Sequence, residues 1–183
     1  MVIRTRKQIR LKKYDYSSSG FYFVTICTQN RDCLFGNIVG VGRDRPLKMI
    51  LNQCGEIVKN VYKSLPNHHP VQLDTYQIMP NHLHFILYVV LGASRRAPME
   101  TLGFIVGMFK TKCTSQINKF QNTPGQKIFQ RNYYEHITRN KRELNRIRQY
   151  IKDNPINWND DRNNLLKSKG GNINNGCQTT TKT

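Results

Sequence analysis

The chain has 183 residues, 38% hydrophobic and 10% aromatic, which is enough for one folded domain and too apolar for a disordered chain. Lys and Arg total 29 against 11 Asp and Glu, and a formal net charge of +18 points to a polyanionic partner, nucleic acid first. A membrane-surface protein would need a lysine-faced amphipathic helix or a lipidation signal, and the sequence has neither; composition alone leaves a ribosome-associated protein open.

In chain order, residues 1–13 carry Arg4, Arg6, Lys7, Arg10, Lys12 and Lys13 with no acid, a basic arm suited to phosphate contacts. Phe21 to Thr28 is aromatic and β-branched and predicts a buried strand. Leu34 to Val39 and Leu47 to Ile50 predict a short hairpin around the Gly-rich turn at 40–46. From about Asn52 to Leu65 the period becomes helical, with Cys54, Val58, Val61 and Leu65 on one side and Pro66 as a stop. His68 and His69 are adjacent and read as loop residues. Strands follow at Val71–Met79 and His82–Val90, separated by a break at Pro80 and Asn81. After a basic loop at 91–99, Leu102, Ile105, Phe109 and Cys113 mark a second helix that ends before the turn at 121–126. Lys127–Gln130 is expected as a last short strand, and Lys141–Asp153 as a last helix, broken by Pro155.

The tail from Ser168 is Gly/Asn/Thr-rich, lacks the apolar groups that would offset its ordering, and is expected to be disordered. The remaining 1–167 read as one α+β domain. Its expected form is a ferredoxin-like or RRM-like antiparallel sheet with helices on one face, plus a C-terminal tyrosine-bearing helix. Cys27, Cys33, Cys54, Cys113 and Cys177 form no CxxC pair, so neither a disulfide framework nor a zinc ribbon fits. With no signal-peptide core and no transmembrane-length run, a soluble cytoplasmic protein is expected.

The candidate chemistry starts at His82-Leu83-His84. Side chains alternate along a strand, so the two imidazoles share one face about 7 Å apart while Leu83, Phe85, Leu87 and Val89 face the core. Two imidazoles so placed can ligate one metal ion. A histidine-triad phosphotransferase would need a further histidine near Ile86, and no HExxH is present. In the last helix, Leu144, Ile147 and Ile151 form the buried stripe. Tyr150 and Asn154 stack one turn apart beside it, able to offer a phenol and an amide oxygen to a cleft above the sheet. Two nitrogens and one oxygen, completed by water and phosphate, suit octahedral Mg²⁺ or Mn²⁺.

Together these motifs resemble the REP-associated tyrosine transposase branch of the single-tyrosine HUH transposases. The resemblance runs from about Tyr14 to Trp158 and rests on the segments at 21–31, 79–84, 129–140 and 144–155. It implies that His82 and His84 are the HUH metal ligands, Asn154 the polar third ligand, and Tyr150 the nucleophile. Tyr133, Glu135, His136 and Pro155 match recurrent family positions and are expected to have structural or DNA-positioning roles. The implied activity is cleavage and rejoining of single-stranded or hairpin DNA through a 5′-phosphotyrosine link, assisted by Mg²⁺ or Mn²⁺. Nearby metal and arginine charge would favour the phenolate, and Arg131, Arg139, Arg142 and Arg146 are candidate backbone contacts. A non-catalytic single-strand binder and a replication-initiator-type nickase are the alternatives. The second commonly carries a larger additional domain. Monomer and homodimer both stay open, with the monomer favoured.

Overall fold

The computed structural model describes residues 19–40, 47–90 and 101–165. The basic arm at 1–13, the turn at 41–46, the loop at 91–100 and the tail therefore lie outside the described residues. The order is β1 (Gly20–Cys27), β2 (Gly36–Val39), β3 (Lys48–Leu51), α1 (Gln53–Lys63), β4 (Val71–Met79), β5 (His82–Val89), α2 (Leu102–Gln121), β6 (Tyr134–Thr138) and α3 (Lys141–Asp153). Four strands form an antiparallel sheet in the order β4-β5-β1-β6, the split βαβ arrangement of the ferredoxin-like fold. β2 and β3 pair separately as the expected hairpin.

Local chemistry sets the helix ends. The Asn52 side chain accepts from Gly55 N at 3.0 Å to start α1. Thr101 does the same for α2, which ends at Asn122 in a left-handed conformation. Asn140 caps α3, and Glu143 reaches back to Arg139 N.

Strand alternation divides the sheet into two unlike faces. Tyr22, Val24 and Ile26 of β1 and Leu83, Phe85, Leu87 and Val89 of β5 point into the main core with α1 and α2. α1 and α2 thus cover one face, as the sequence predicts. The opposite face carries Phe23 and Ile86, on which Leu144, Ile147 and Ile151 of α3 form a small second cluster. A guanidinium–carboxylate pair adds to that seam: Arg148 of α3 bonds Asp74 of β4 through two nitrogens, Nε at 2.9 Å. Asp74 stands at a register shift between Leu73 and Tyr76, where the bulge frees it from the regular pleat.

One strand differs from expectation. Residues 127–130 make only a single bridge, Phe129 with Thr28, and the fourth sheet strand is Tyr134–Thr138. Its alternation is hard to see in the sequence because an acid, Glu135, occupies a buried inward position beside Ile137. Its outward positions, Tyr134, His136 and Thr138, are polar because they lie on the α3 face.

Candidate active site

The two-residue turn between β4 and β5 delivers His82 at the first position of β5. His84 follows on the same face, opposite Thr25 of β1. Both imidazoles are buried, and their Nε2 atoms lie 3.0 Å apart. Each Nδ1 is held from behind, His84 by Thr25 Oγ1 at 2.8 Å and His82 by Asn81 Oδ1 at 2.9 Å.

The Asn81 amide orientation fixes the His82 tautomer. Its Nδ2 donates to the carbonyls of Arg31 (3.0 Å) and Asn163 (2.8 Å), so its Oδ1 must accept from His82 Nδ1–H. The His82 Nε2 lone pair is thereby directed into the site. Thr25 can donate or accept, so His84 can either donate from Nε2 to His82 or free its own lone pair beside it. Burial favours the neutral form of both rings: it lowers the His82 pKa to about 4 despite the nearby Asp161 charge, and lowers that of His84 well below its ordinary value, with positive charge on His82 and Arg162 acting in the same direction.

A third donor comes from a segment that sequence reasoning passed over. Beyond α3 a short turn, Trp158–Asp160, places the buried Trp158 ring 6.1 Å from His82, tilted by 30° to it, and leads into Asp161. Asp161 Oδ1 accepts from Asn163 N at 2.6 Å, and its Oδ2 lies 3.6 Å from His82 Nε2. His82, His84 and Asp161 offer ligand atoms within 4.8 Å of one another. The available signal was composition: acids are scarce in a chain with 11 of them against 29 bases, yet Asp160 and Asp161 stand together just after the tyrosine helix.

Asn154 closes this side. It is buried, and its Oδ1 has no well-formed hydrogen bond, while the amide lies close enough to His82 and Tyr150 to influence the titration of both. An orphaned buried carbonyl, a carboxylate and two oriented imidazoles fit a divalent cation that accepts mixed nitrogen and oxygen donors. The Nε2 separation also matches neighbouring ligands on an octahedron with bonds of about 2.1 Å, although a direct hydrogen bond accounts for it equally.

Tyr150 lies over the same site. Its ring is 5.4 Å from His84 and 6.1 Å from Phe23, centroid to centroid, and the residue is 47% exposed. Burial is the main influence raising the phenol pKa and the Asp161 charge adds to it, while the Asn154 hydrogen bond and Arg162 oppose. The four residues expected to share a site, His82, His84, Tyr150 and Asn154, are therefore brought together within one chain.

The other expected residues fall elsewhere. Arg131, Arg139, Arg142 and Arg146 are exposed. His136 faces α3 and bonds Glu143 at 2.8 Å, supporting the helix cap. His68 is a loop residue beside Lys112, and the described cysteines Cys27, Cys33, Cys54 and Cys113 form no disulfide with one another.

Comparison with known proteins identifies the family and the fold. The IS200-like transposase domain matches residues 37–154, from the hairpin through the tyrosine helix to Asn154. The chain belongs to the IS200-like transposase family. Among relatives of this transposase is an uncharacterized Haemophilus influenzae protein, 39% identical over 87% of this chain and 93% of its own length. A second protein of that organism, provisionally named a REP-associated tyrosine transposase, is 24% identical over 78% of this chain and 73% of its own. The fold is also that of a solved REP-associated tyrosine transposase bound to a REP hairpin. That match has a TM-score of 0.57 and 16% identity, and covers 81% of this transposase and 74% of the other chain.

Proposed function

We propose that this transposase cleaves and rejoins single-stranded DNA, with Tyr150 as nucleophile and a divalent ion held by His82, His84, Asn154 and Asp161. The observation that carries the reading is the Tyr150 ring lying 5.4 Å from His84 in the same chain, over a cluster of inward-directed donors.

The Tyr150 phenol oxygen attacks phosphorus and gives up its proton to solvent, to which the half-exposed residue is open. The O–P bond forms as the bond from phosphorus to the 3′ oxygen breaks. The departing 3′ oxygen takes up a proton, and the 5′ phosphate remains on Tyr150. That ester preserves the phosphodiester, so a second 3′-hydroxyl can reverse the chemistry and join new ends without a nucleotide cofactor. A bound Mg²⁺ or Mn²⁺ supplies Lewis-acid charge to a non-bridging phosphate oxygen. Asn81 directs the His82 Nε2 lone pair into the site, a Thr25 hydroxyl accepting from His84 Nδ1–H would direct a second beside it, and Phe23 and His84 form the surface on which the Tyr150 ring rests.

The net charge of +18 and the exposed Arg131, Arg139, Arg142 and Arg146 suit a DNA backbone. Hairpin DNA is the favoured substrate by analogy with the REP-hairpin complex of the structural relative. Because one chain supplies both the donors and the tyrosine, a monomer suffices. Action on chromosomal DNA implies the cytoplasm, and among the described residues no helix is long and apolar enough to cross a membrane.

The test is incubation with end-labelled hairpin-bearing single-stranded DNA and Mn²⁺ or Mg²⁺, followed by denaturing electrophoresis. Wild type should form a denaturant-resistant adduct, Tyr150→Phe none, and His82→Ala or His84→Ala little. DNA binding without any adduct would leave a non-catalytic binder and overturn the proposal; an adduct surviving Tyr150→Phe would move the nucleophile elsewhere.

A further inference from the structure

Phosphoryl transfer gathers negative charge, and the donor set itself brings a carboxylate and no lysine or arginine, so any positive charge beyond a bound ion must come from outside it. Any phosphate brought to Tyr150 adds one more negative charge and develops further charge as the new bond forms. Of the cations on the described residues, Arg162 is the one whose charge reaches His82, His84 and Tyr150 alike. Arg31 acts on His82 alone of these, and its Nη1 is engaged with the Arg162 carbonyl at 3.3 Å.

The backbone at 161–163 is pinned while the Arg162 side chain is left exposed. Asp161 and Asn163 are joined by a 2.6 Å bond, Asn163 O accepts from the buried Asn81, and Arg162 O accepts from Arg31. The guanidinium carbon lies 6.0 Å from the Tyr134 ring centroid, within cation–π range. Tyr134, on β6, is 40% exposed and stands in the same cross-sheet row as Thr25 and His84. Both Tyr134 and Tyr150 contact Phe23, each at 6.1 Å between centroids. An arginine over the Tyr134 ring, which shares Phe23 with Tyr150, and pairing with no carboxylate among the described residues, is prepared for a planar two-pronged contact with phosphate oxygens.

We propose that Arg162 is a catalytic residue that grips the scissile phosphate beside Tyr150, and that Tyr134 is the positioning residue that seats its guanidinium. The inference rests on the tyrosine-nuclease reading above.

The experiment measures single-turnover adduct formation on the hairpin-bearing strand at saturating DNA, with Mn²⁺ affinity, DNA affinity and melting temperature measured alongside. Arg162→Ala should slow adduct formation about 100-fold or more with Mn²⁺ affinity no weaker than wild type and an unchanged melting temperature. Arg162→Lys should be intermediate, and added guanidinium ion should restore part of the Arg162→Ala rate. Tyr134→Ala should lose about tenfold while Tyr134→Phe, which keeps the ring face, stays near wild type. An Arg162→Ala rate within about twofold of wild type makes Arg162 an ordinary solvated surface charge and overturns the proposal. So does a rate loss explained wholly by weaker Mn²⁺ binding, which would assign Arg162 to the support of Asp161. A wild-type protein that forms no adduct sinks the nuclease reading itself, whereas a normal adduct in both wild type and Arg162→Ala refutes this inference alone.

Discussion

Replacing Asp74 with Asn tests how the tyrosine helix is held. α3 meets the sheet through a small apolar seam, Leu144, Ile147 and Ile151 on Phe23 and Ile86, so one directional contact carries weight. Arg148 supplies it with two nitrogens on the Asp74 carboxylate, and the guanidinium keeps that carboxyl below its ordinary pKa. Asp74 is mostly covered at 15% side-chain exposure, while Arg148 at 33% retains some water, which moves the expected loss away from the values of fully buried pairs. Hydrogen bonds to charged groups contribute about 1.5–3 kcal/mol, and partial resolvation of Arg148 lowers the net loss on Asp74→Asn to about 1–2 kcal/mol. For a chain of this size that is roughly 2–8 °C in melting temperature. A lowered carboxylate pKa means that the unfolded chain binds the proton more readily. The pair's contribution is therefore complete above the unfolded value of about 3.9 and is lost as pH falls through the folded value. Calorimetric melts of wild type and Asp74→Asn should differ at neutral pH and converge in acid. Equal melting temperatures at neutral pH, or a difference that persists undiminished in acid, would refute the reasoning.

Gly55→Ala should destabilise the protein by about 1–3 kcal/mol in urea unfolding, although alanine is the better helix former, because its Cβ would lie 2.2 Å from the Phe35 carbonyl. Asn81→Ala should weaken Mn²⁺ binding about 10–100-fold by titration calorimetry, since His82 loses the acceptor that sets its tautomer. Phe85→Ala, at a fully buried position between Tyr62 and Phe109, should cost about 3–5 kcal/mol of stability in urea unfolding. Asp161→Asn should reduce Mn²⁺ affinity at least about tenfold with little change in melting temperature, because the amide keeps an oxygen for Asn163 N but loses the charge.

The readable parts of the sequence were those governed by period. Alternation put His82 and His84 on one face and Leu83 and Phe85 on the other, and the helical stripe of Leu144, Ile147 and Ile151 turned Tyr150 towards them. What alternation could not convey was how the rings turn: backbone spacing separates them, and Thr25 and Asn81 draw their Nε2 atoms to 3.0 Å. Beyond the compositional hint of paired acids at Asp160 and Asp161, periodicity could not reveal Asp161 and Arg162, because they sit on an aperiodic turn whose place depends on tertiary hydrogen bonds. Asn81 makes those bonds, yet in the sequence it looks like nothing more than a turn residue before a strand. Tyr134–Thr138 was not foreseen as a strand, the last strand being expected at 127–130, since its outward side chains belong to the polar face and Glu135 breaks the inward pattern.

The two faces of the sheet are held by different physics. α1 and α2 are fixed by continuous apolar burial, which is strong but non-directional. The face with the candidate site has five buried apolar residues in its cluster and is fixed mainly by aimed contacts: Asn81 to His82, Thr25 to His84, Glu143 to His136 and Asp74 to Arg148. Directional bonds specify angles where burial specifies only proximity, and converging lone pairs beside a phenol depend on angle. Truncating an apolar side chain on the α1–α2 face should therefore erode stability before it moves any ligand atom. Removing one hydrogen-bonding group on the other face should alter metal affinity or reaction rate while most of the stability remains. That separation follows from one sheet serving on one side as a core wall and on the other as a template for chemistry.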